Sequence, residues 1–283
     1  MAAPSSLIVI IPYYGRLEWW GHMAIDSMLR NRHTTFVLIG DKLPPSASNV
    51  RVYNWTHAQY RGRISKRFGV DLSAWGWRST CEGAHCGRNP TNKISDTRPF
   101  LAALFEDHVR AHDWWAWADL DVMFGSIRAP HAGPTSIWNP VCPNPIGLTT
   151  WGPFTAFPVR GAPRTRDNRT VPGTRPYEAS RGWRRVLRSR RQMGFDELGF
   201  SGRADEGLAA LLDDAGCVRD AAWTVVEARA CQPGSWKPCT EHDIDLLRAR
   251  DGFHLEGAKR WPHDAGATHA LLRQRRFGVR PVS

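Results

Sequence analysis

The sequence predicts an α/β fold, a mainly parallel sheet flanked by helices and interrupted by loop insertions. Three observations predict it. The chain opens on the unbroken apolar run Leu7-Ile8-Val9-Ile10-Ile11-Pro12, which reads as a central strand covered on both faces. A helical stretch and two more short apolar runs follow, and this β-α-β-β order implies a parallel sheet with its sites at strand C-terminal ends. Near mid-chain an aromatic run, Trp114-Trp115-Ala116-Trp117-Ala118, ends abruptly in Asp119-Leu120-Asp121.

In chain order, residues 18–30 place Trp19, Met23, Ile25, Met28 and Leu29 at roughly helical spacing. Residues 35–39 form a second buried strand ending in Gly40-Asp41, and residues 50–53 a third. Residues 56–68 read as a helix with a basic outer face. Residues 71–92 turn to Gly, Cys, Trp and polar types and read as an inserted loop, pinned if Cys81 and Cys86 pair. Phe100, Leu101, Leu104, Phe105 and Val109 form the stripe of an amphipathic helix, with Pro99 in its first turn and Asp96 or Thr97 as cap. Strands are expected at 146–150, 154–159 and 223–228, helices at 182–192 and 205–215, and a long polar loop at 161–181. Residues 253–261 close the folded part.

A chain of 283 residues with no repeat and no linker is expected to form one domain over 1–283. Its halves would be 7–130 and 131–265. The hydrophobic share of 42% and charged share of 23% suit a folded globular protein. The net charge of +11 is concentrated in two arginine-rich segments, and no RNA- or DNA-binding motif accompanies either, so each reads as a solvated basic face. Fourteen Trp suit sugar platforms and core packing equally. Six Cys and the sequons at Asn54 and Asn168 point toward a Golgi or secretory lumen. Cys81, His85 and Cys86 leave zinc open as an alternative to a disulfide. No leader-like stretch and no transmembrane segment is seen, so the expectation is a cytoplasmic protein or one whose anchor lies outside this sequence.

In an extended backbone residues i and i+2 share a face, so Asp119 and Asp121 would present two carboxylates side by side. Such a pair repels unless a proton or cation intervenes, and hard divalent ions favour this ligation. The plainer alternative is one capping Asp and one solvated Asp.

The ordered set Ile11-Pro12-Tyr13-Tyr14-Gly15, Gly40-Asp41, Lys93-Ile94-x-Asp96-x-Arg98-Pro99, Asp119-Leu120-Asp121-Val122-Met123-Phe124-Gly125-Ser126-Ile127-Arg128 and Phe195-Asp196-Glu197 resembles a family of GT-A-type glycosyltransferases over roughly residues 7–261. The resemblance implies a GT-A-like, Rossmann-like fold and transfer of a sugar from a nucleoside-diphosphate donor to a glycan or other hydroxyl acceptor. It implies a divalent cofactor, Mn²⁺ or Mg²⁺, with Asp121 as primary ligand, Asp119 in support and His254 completing the set. Pro12, Tyr13, Tyr14 and Gly15 would line the nucleotide, with Tyr13 or Tyr14 stacked on the base or else packed in the core. Asp41, Lys93, Asp96, Arg98, Asp119 and Leu120 would lie on the donor side. Asp196 and Glu197 would supply the base of an inverting transfer, or position the acceptor or face the transient cation in a retaining one. Ser126 departs from the family's usual Asp, and the segments 71–92 and 161–181 look like insertions bearing on the acceptor. Two other readings compete. A catalytically inactive glycan-binding module is disfavoured by the intact Asp-Leu-Asp. A nucleic-acid binder is disfavoured by the missing motifs, so no nucleic-acid partner is expected.

Overall fold

The structure is a computed structural model, and it describes residues 6–15, 17, 19–72, 90–125, 127, 135–138, 150, 154–189, 195–196, 207–213, 217–218 and 225–227. β1 (Leu7–Pro12) pairs in parallel with β2 (Thr34–Ile39) on one side and β4 (Trp114–Ala118) on the other. β3 (Val50–Tyr53) extends the sheet beyond β2, again in parallel. Beyond β4 comes β7 (Phe154–Pro158), antiparallel, with Ala118 opposite Phe154. β6 (Ile137–Trp138) and β8 (Cys217–Val218) complete a seven-stranded order β3-β2-β1-β4-β7-β6-β8. From these pairings β7 alone runs against the rest, so the sheet is mainly parallel, as predicted. β9 (Val225–Glu227) falls within the strand expected at 223–228, but its antiparallel pairing with β5 (Val122–Phe124), apart from the main sheet, was not suggested by the sequence.

The period-2 alternation of buried strands divides the core in two. Leu7, Val9, Ile11, Phe36, Trp114 and Ala116 face α1 (Trp19–Arg30), where Met23, Ala24 and Met28 meet them. Ile8, Ile10, Val37, Trp115 and Trp117 face the other way, toward Tyr60, Ile64 and Phe68 of α2 (His57–Phe68). Trp115, Trp117 and Trp138 are fully buried. For these indoles the packing reading holds, and they offer no platform to a sugar.

α2 has a complete local specification. Thr56 Oγ1 accepts from Gln59 N, the Gln59 side chain accepts from Thr56 N, and Gly69 closes the helix in the left-handed region at φ 61°.

The helix expected over 100–109 is broken. A 3-10 helix (Pro90–Phe100) carries Pro99, and two short helices follow, α3 (Leu101–Leu104) and α4 (Glu106–Val109), split at Phe105. Neither Asp96 nor Thr97 caps them. The Asp96 carboxylate accepts from Lys93 and from Phe195 N, while Thr97 Oγ1 donates to Ile94 O.

The polar segment 161–181 is also no surface loop throughout. Val171, Tyr177 and Ala179 are buried, the last two in a 3-10 turn (Pro176–Ala179), and Trp115 Nε1 donates to Gly173 O at 2.7 Å. A buried indole N–H needs an acceptor, and this loop supplies it. The basic helix is α5 (Trp183–Arg188). Of the helix expected over 205–215, the described residues 207–213 carry one turn, α6 (Leu208–Leu211). The strand expected at 146–150 lies outside the described residues apart from Thr150, as do Cys81, His85, Cys86, Glu197, residues 253–261 and His254.

Candidate functional site

The site is built where the chain changes direction across the sheet. β1, β2 and β3 step outward to one side, and β4 then enters on the other side of β1. In such sheets the C-terminal ends of the two strands flanking the reversal diverge and leave a crevice. Those ends carry Tyr13 and Asp119.

Three strand exits are tied together there. Tyr13 N donates to Ile39 O at 2.8 Å, and Gly40 N to Tyr53 O at 3.1 Å. A Cβ on Gly40 would lie 2.1 Å from the Tyr13 carbonyl oxygen, so only glycine lets these turns touch. Asp41 is exposed beside them. Tyr13 packs half-buried against the α1-side core. Tyr14 turns to the other face and meets His57 edge-on at 5.4 Å and Tyr60 at 5.7 Å. Burial raises the Tyr14 hydroxyl well above its ordinary pKa, with Tyr60 and Asp41 adding to it. Burial, then nearby Arg61, pushes His57 down to about 4. Pro12 and Gly15 bound this turn, Pro12 as the last residue of β1.

The two aspartates do not continue the strand. β4 ends at Ala118, and Val122 N returns to Asp119 O at 3.3 Å across a tight turn. The shared-face argument from an extended backbone therefore fails, and the turn sets the carboxylates differently. The Asp119 side chain is 31% exposed. Asp121 is 7% exposed and Leu120 2%.

Arg98 binds both sides of this arrangement. One guanidinium nitrogen holds Asp119 and the other holds Asp196, and both Arg98 and Asp196 are buried. One turn earlier, Lys93 donates to Asp96 at 2.7 Å and to Val186 O at 2.5 Å. Asp96 accepts in turn from Phe195 N at 2.8 Å. Thr150 Oγ1 donates to Asp196 O at 2.8 Å. Burial lowers the pKa of Lys93, against the Asp96 charge that raises it. Lys93 and Asp96 are almost fully enclosed, so their charges are spent on one another and on holding Phe195-Asp196 in place. The 3-10 segment thus tethers the turn after β4 to Phe195 and Asp196, which lie 99 positions beyond Asp96 and 98 beyond Arg98.

Sequence reasoning singled out Lys93, Asp96, Arg98, Asp119 and Asp196, and the structure brings all five together. It missed Thr150 and the Val186 carbonyl. Spacing gives a signal for the Lys93–Asp96 pair alone, because side chains three apart on a helix meet. As a donor set for a hard divalent ion, Asp119 and Asp121 supply carboxylate oxygens of the right chemistry. Among the described residues no group of three or more His, Cys, Asp and Glu is gathered to hold a metal.

Residues 9–229 match a family of unknown function (DUF6625). The chain belongs to the DUF6625 family. No curated protein matches this DUF6625 chain. Among solved structures it is similar to the glycosyltransferase GlyE of Streptococcus pneumoniae TIGR4, at 11% identity and a TM-score of 0.27 over 55% of this chain and 34% of that one. It is also similar to the bifunctional glycosyltransferase WbbM in its apo form, at 12% identity and a TM-score of 0.28 over 71% and 32%. The DUF6625 chain therefore spans about a third of the length of either structure. Among its described residues no helix is long and apolar enough to cross a membrane.

Proposed function

We propose that this protein is a metal-dependent glycosyltransferase of GT-A-like build, moving a sugar from a nucleoside-diphosphate donor to a hydroxyl acceptor, a glycan in the first instance. One observation carries the reading. Asp119-Leu120-Asp121 sits in a turn at the C-terminal end of β4, beside the reversal point of the sheet, with one carboxylate nearly buried and the other reaching solvent.

On this reading Asp121 and Asp119 hold Mn²⁺ or Mg²⁺, with His254 as the third protein ligand. When bound, the ion stabilises the charge that develops on a leaving diphosphate. The turn of Pro12, Tyr13, Tyr14 and Gly15, with Asp41, lines the nucleotide. Tyr13, half-buried toward α1, is better placed for a base than Tyr14, which is packed on His57 and Tyr60. Arg98, its charge offset by Asp119 and Asp196, holds Asp119 in one orientation on the diphosphate side. Asp196 is enclosed on Arg98, which suits a positioning part. Glu197 then carries the proposal of the base that takes the acceptor proton. A Golgi or secretory-lumen location, from the two sequons, remains part of the reading.

The test is a screen of UDP- and GDP-linked sugars with Mn²⁺, read as released nucleoside diphosphate and, in parallel, as thermal shift. A metal-dependent shift and turnover with one donor are expected, and Asp121→Ala should abolish both while keeping the fold. Absence of any nucleotide response with metal present would overturn the enzyme reading. Donor binding without turnover, across acceptors, would leave an inactive glycan-binding module.

A further inference from the structure

The positive charge of this chain is segregated. Residues 160–191 hold eleven arginines against two acids, Asp167 and Glu178. α2 adds Arg61, Arg63, Lys66 and Arg67 with no acid of its own. Together the two segments exceed the chain's entire excess of +11, so the remainder is net acidic.

The fold brings the two segments together. Phe68, at the end of α2, meets the ring of Tyr177 at 5.6 Å and that of Trp183 at 5.9 Å, the first residue of α5. Arg63, Lys66, Arg181, Arg184 and Arg188 are all exposed, and no carboxylate among the described residues pairs with them. Burying an apolar seam between α2 and α5 therefore leaves their cationic sides outward.

Two of the guanidiniums are also oriented. Arg63 lies over the Trp55 ring at 4.1 Å and Arg184 over the Trp183 ring at 4.4 Å. An indole under one face fixes the plane of a guanidinium and leaves its N–H edge for an outside partner. That edge matches a carboxylate, sulfate or phosphate through two parallel hydrogen bonds. Lysine, a point charge on a flexible stem, does not reproduce this geometry.

We propose that the α2–α5 face binds an anionic glycan through these stacked arginines, so that the acceptor of the reaction is an acidic polysaccharide. The choice of a glycan rests on the glycosyltransferase reading, while the anionic chemistry rests on the face itself. The two half-buried indoles of this face, Trp55 and Trp183, lie under guanidiniums, an arrangement that offers hydrogen-bond donors outward rather than the apolar side chains that insert into a lipid surface.

The test uses the full chain on sensor surfaces carrying polygalacturonate, heparin or neutral dextran at about 0.15 M salt, where exposed charges separated by more than ~8 Å are largely screened. Binding to one or both acidic polymers and none to dextran is expected, and which polymer wins separates carboxylate from sulfate as the recognised group. Arg184→Glu/Arg188→Glu should lose binding. Arg63→Lys/Arg184→Lys, which keeps the charge, should weaken it about tenfold. Lysine variants that bind as tightly as wild type would overturn the proposal, because charge alone would then suffice. So would equal or tighter binding to phosphatidylserine vesicles or single-stranded DNA. Asp121→Ala should bind the polymers as wild type does. Failure of the donor screen with polymer binding intact would thus sink the enzyme reading and leave this face standing.

Discussion

The residues that matter most to the site are not the exposed ones. Lys93 and Asp96 are enclosed, and each has a second task, Lys93 at the Val186 carbonyl and Asp96 at Phe195 N. Removing one partner of a buried ion pair leaves the other uncompensated, at a cost of about 3–5 kcal/mol. Lys93→Met should lower stability by that order in urea unfolding. Lys93→Met/Asp96→Asn should recover part of it, since the amide oxygen still serves Phe195 N. If the single and double variants lose equally, the pair is not what holds the segment. His57 gives a pH dependence of definite sign. Its folded pKa, about 4, lies below the ordinary 6.5, so the unfolded chain takes up the proton first. Its share of stability is complete above about pH 6.5 and is lost as pH falls toward 4. Its place at the first position of α2 works the same way, since a helix N-terminus disfavours positive charge. The urea midpoint of wild type should fall over that window more steeply than that of His57→Gln, and identical slopes would rule His57 out as the cause.

At the scale of elements, α2 and the broken stretch after Pro99 make the useful contrast. Everything that defines α2 is local: a capping box at Thr56 and Gln59, an apolar stripe at Tyr60, Ile64 and Phe68, and a glycine end. Sequence alone therefore places it within a residue. Thr56→Ala should cost about 1 kcal/mol, read from thermal or urea unfolding. A loss under a few tenths would mean that the cap is redundant with packing. Residues 90–109 carry equally clear local signals, an apolar stripe with Pro99 in its first turn and Asp96 in position to cap. They fold otherwise because Asp96 is claimed by Lys93 and by a backbone N–H about a hundred residues away. A side chain can satisfy only a limited set of partners, and the buried one wins, since leaving it unmet costs most. The turn after β4 follows the same logic, with Asp119 held by Arg98 rather than by the run of the strand.

For the whole molecule, the sheet unites what the chain separates. β4, from mid-chain, lies between β1 and β7, and both faces of the sheet are packed. Trp114, Trp115, Trp117 and Trp138 report directly on that sheet. Their fluorescence red shift on unfolding should coincide with loss of far-ultraviolet circular dichroism in one transition. Two separated transitions would show the expected halves, 7–130 and 131–265, unfolding apart.

By itself the sequence determined the parallel β1–β2–β3 start, α1, α2, β4 and β7, and it marked Lys93, Asp96, Arg98, Asp119 and Asp196 as residues of interest. The elements are signalled by periodicity, capping and spacing, which act over a few residues and survive in one dimension, whereas the five residues were marked by the motifs that resemble a GT-A-type family. Only the tertiary structure decided that β7 runs antiparallel, that segment 161–181 feeds the core, and that Arg98 joins Asp119 to Asp196. Each of those outcomes depends on which distant group a buried charge, ring or backbone amide finds. A partner far along the chain leaves no periodic trace in the residues that meet it.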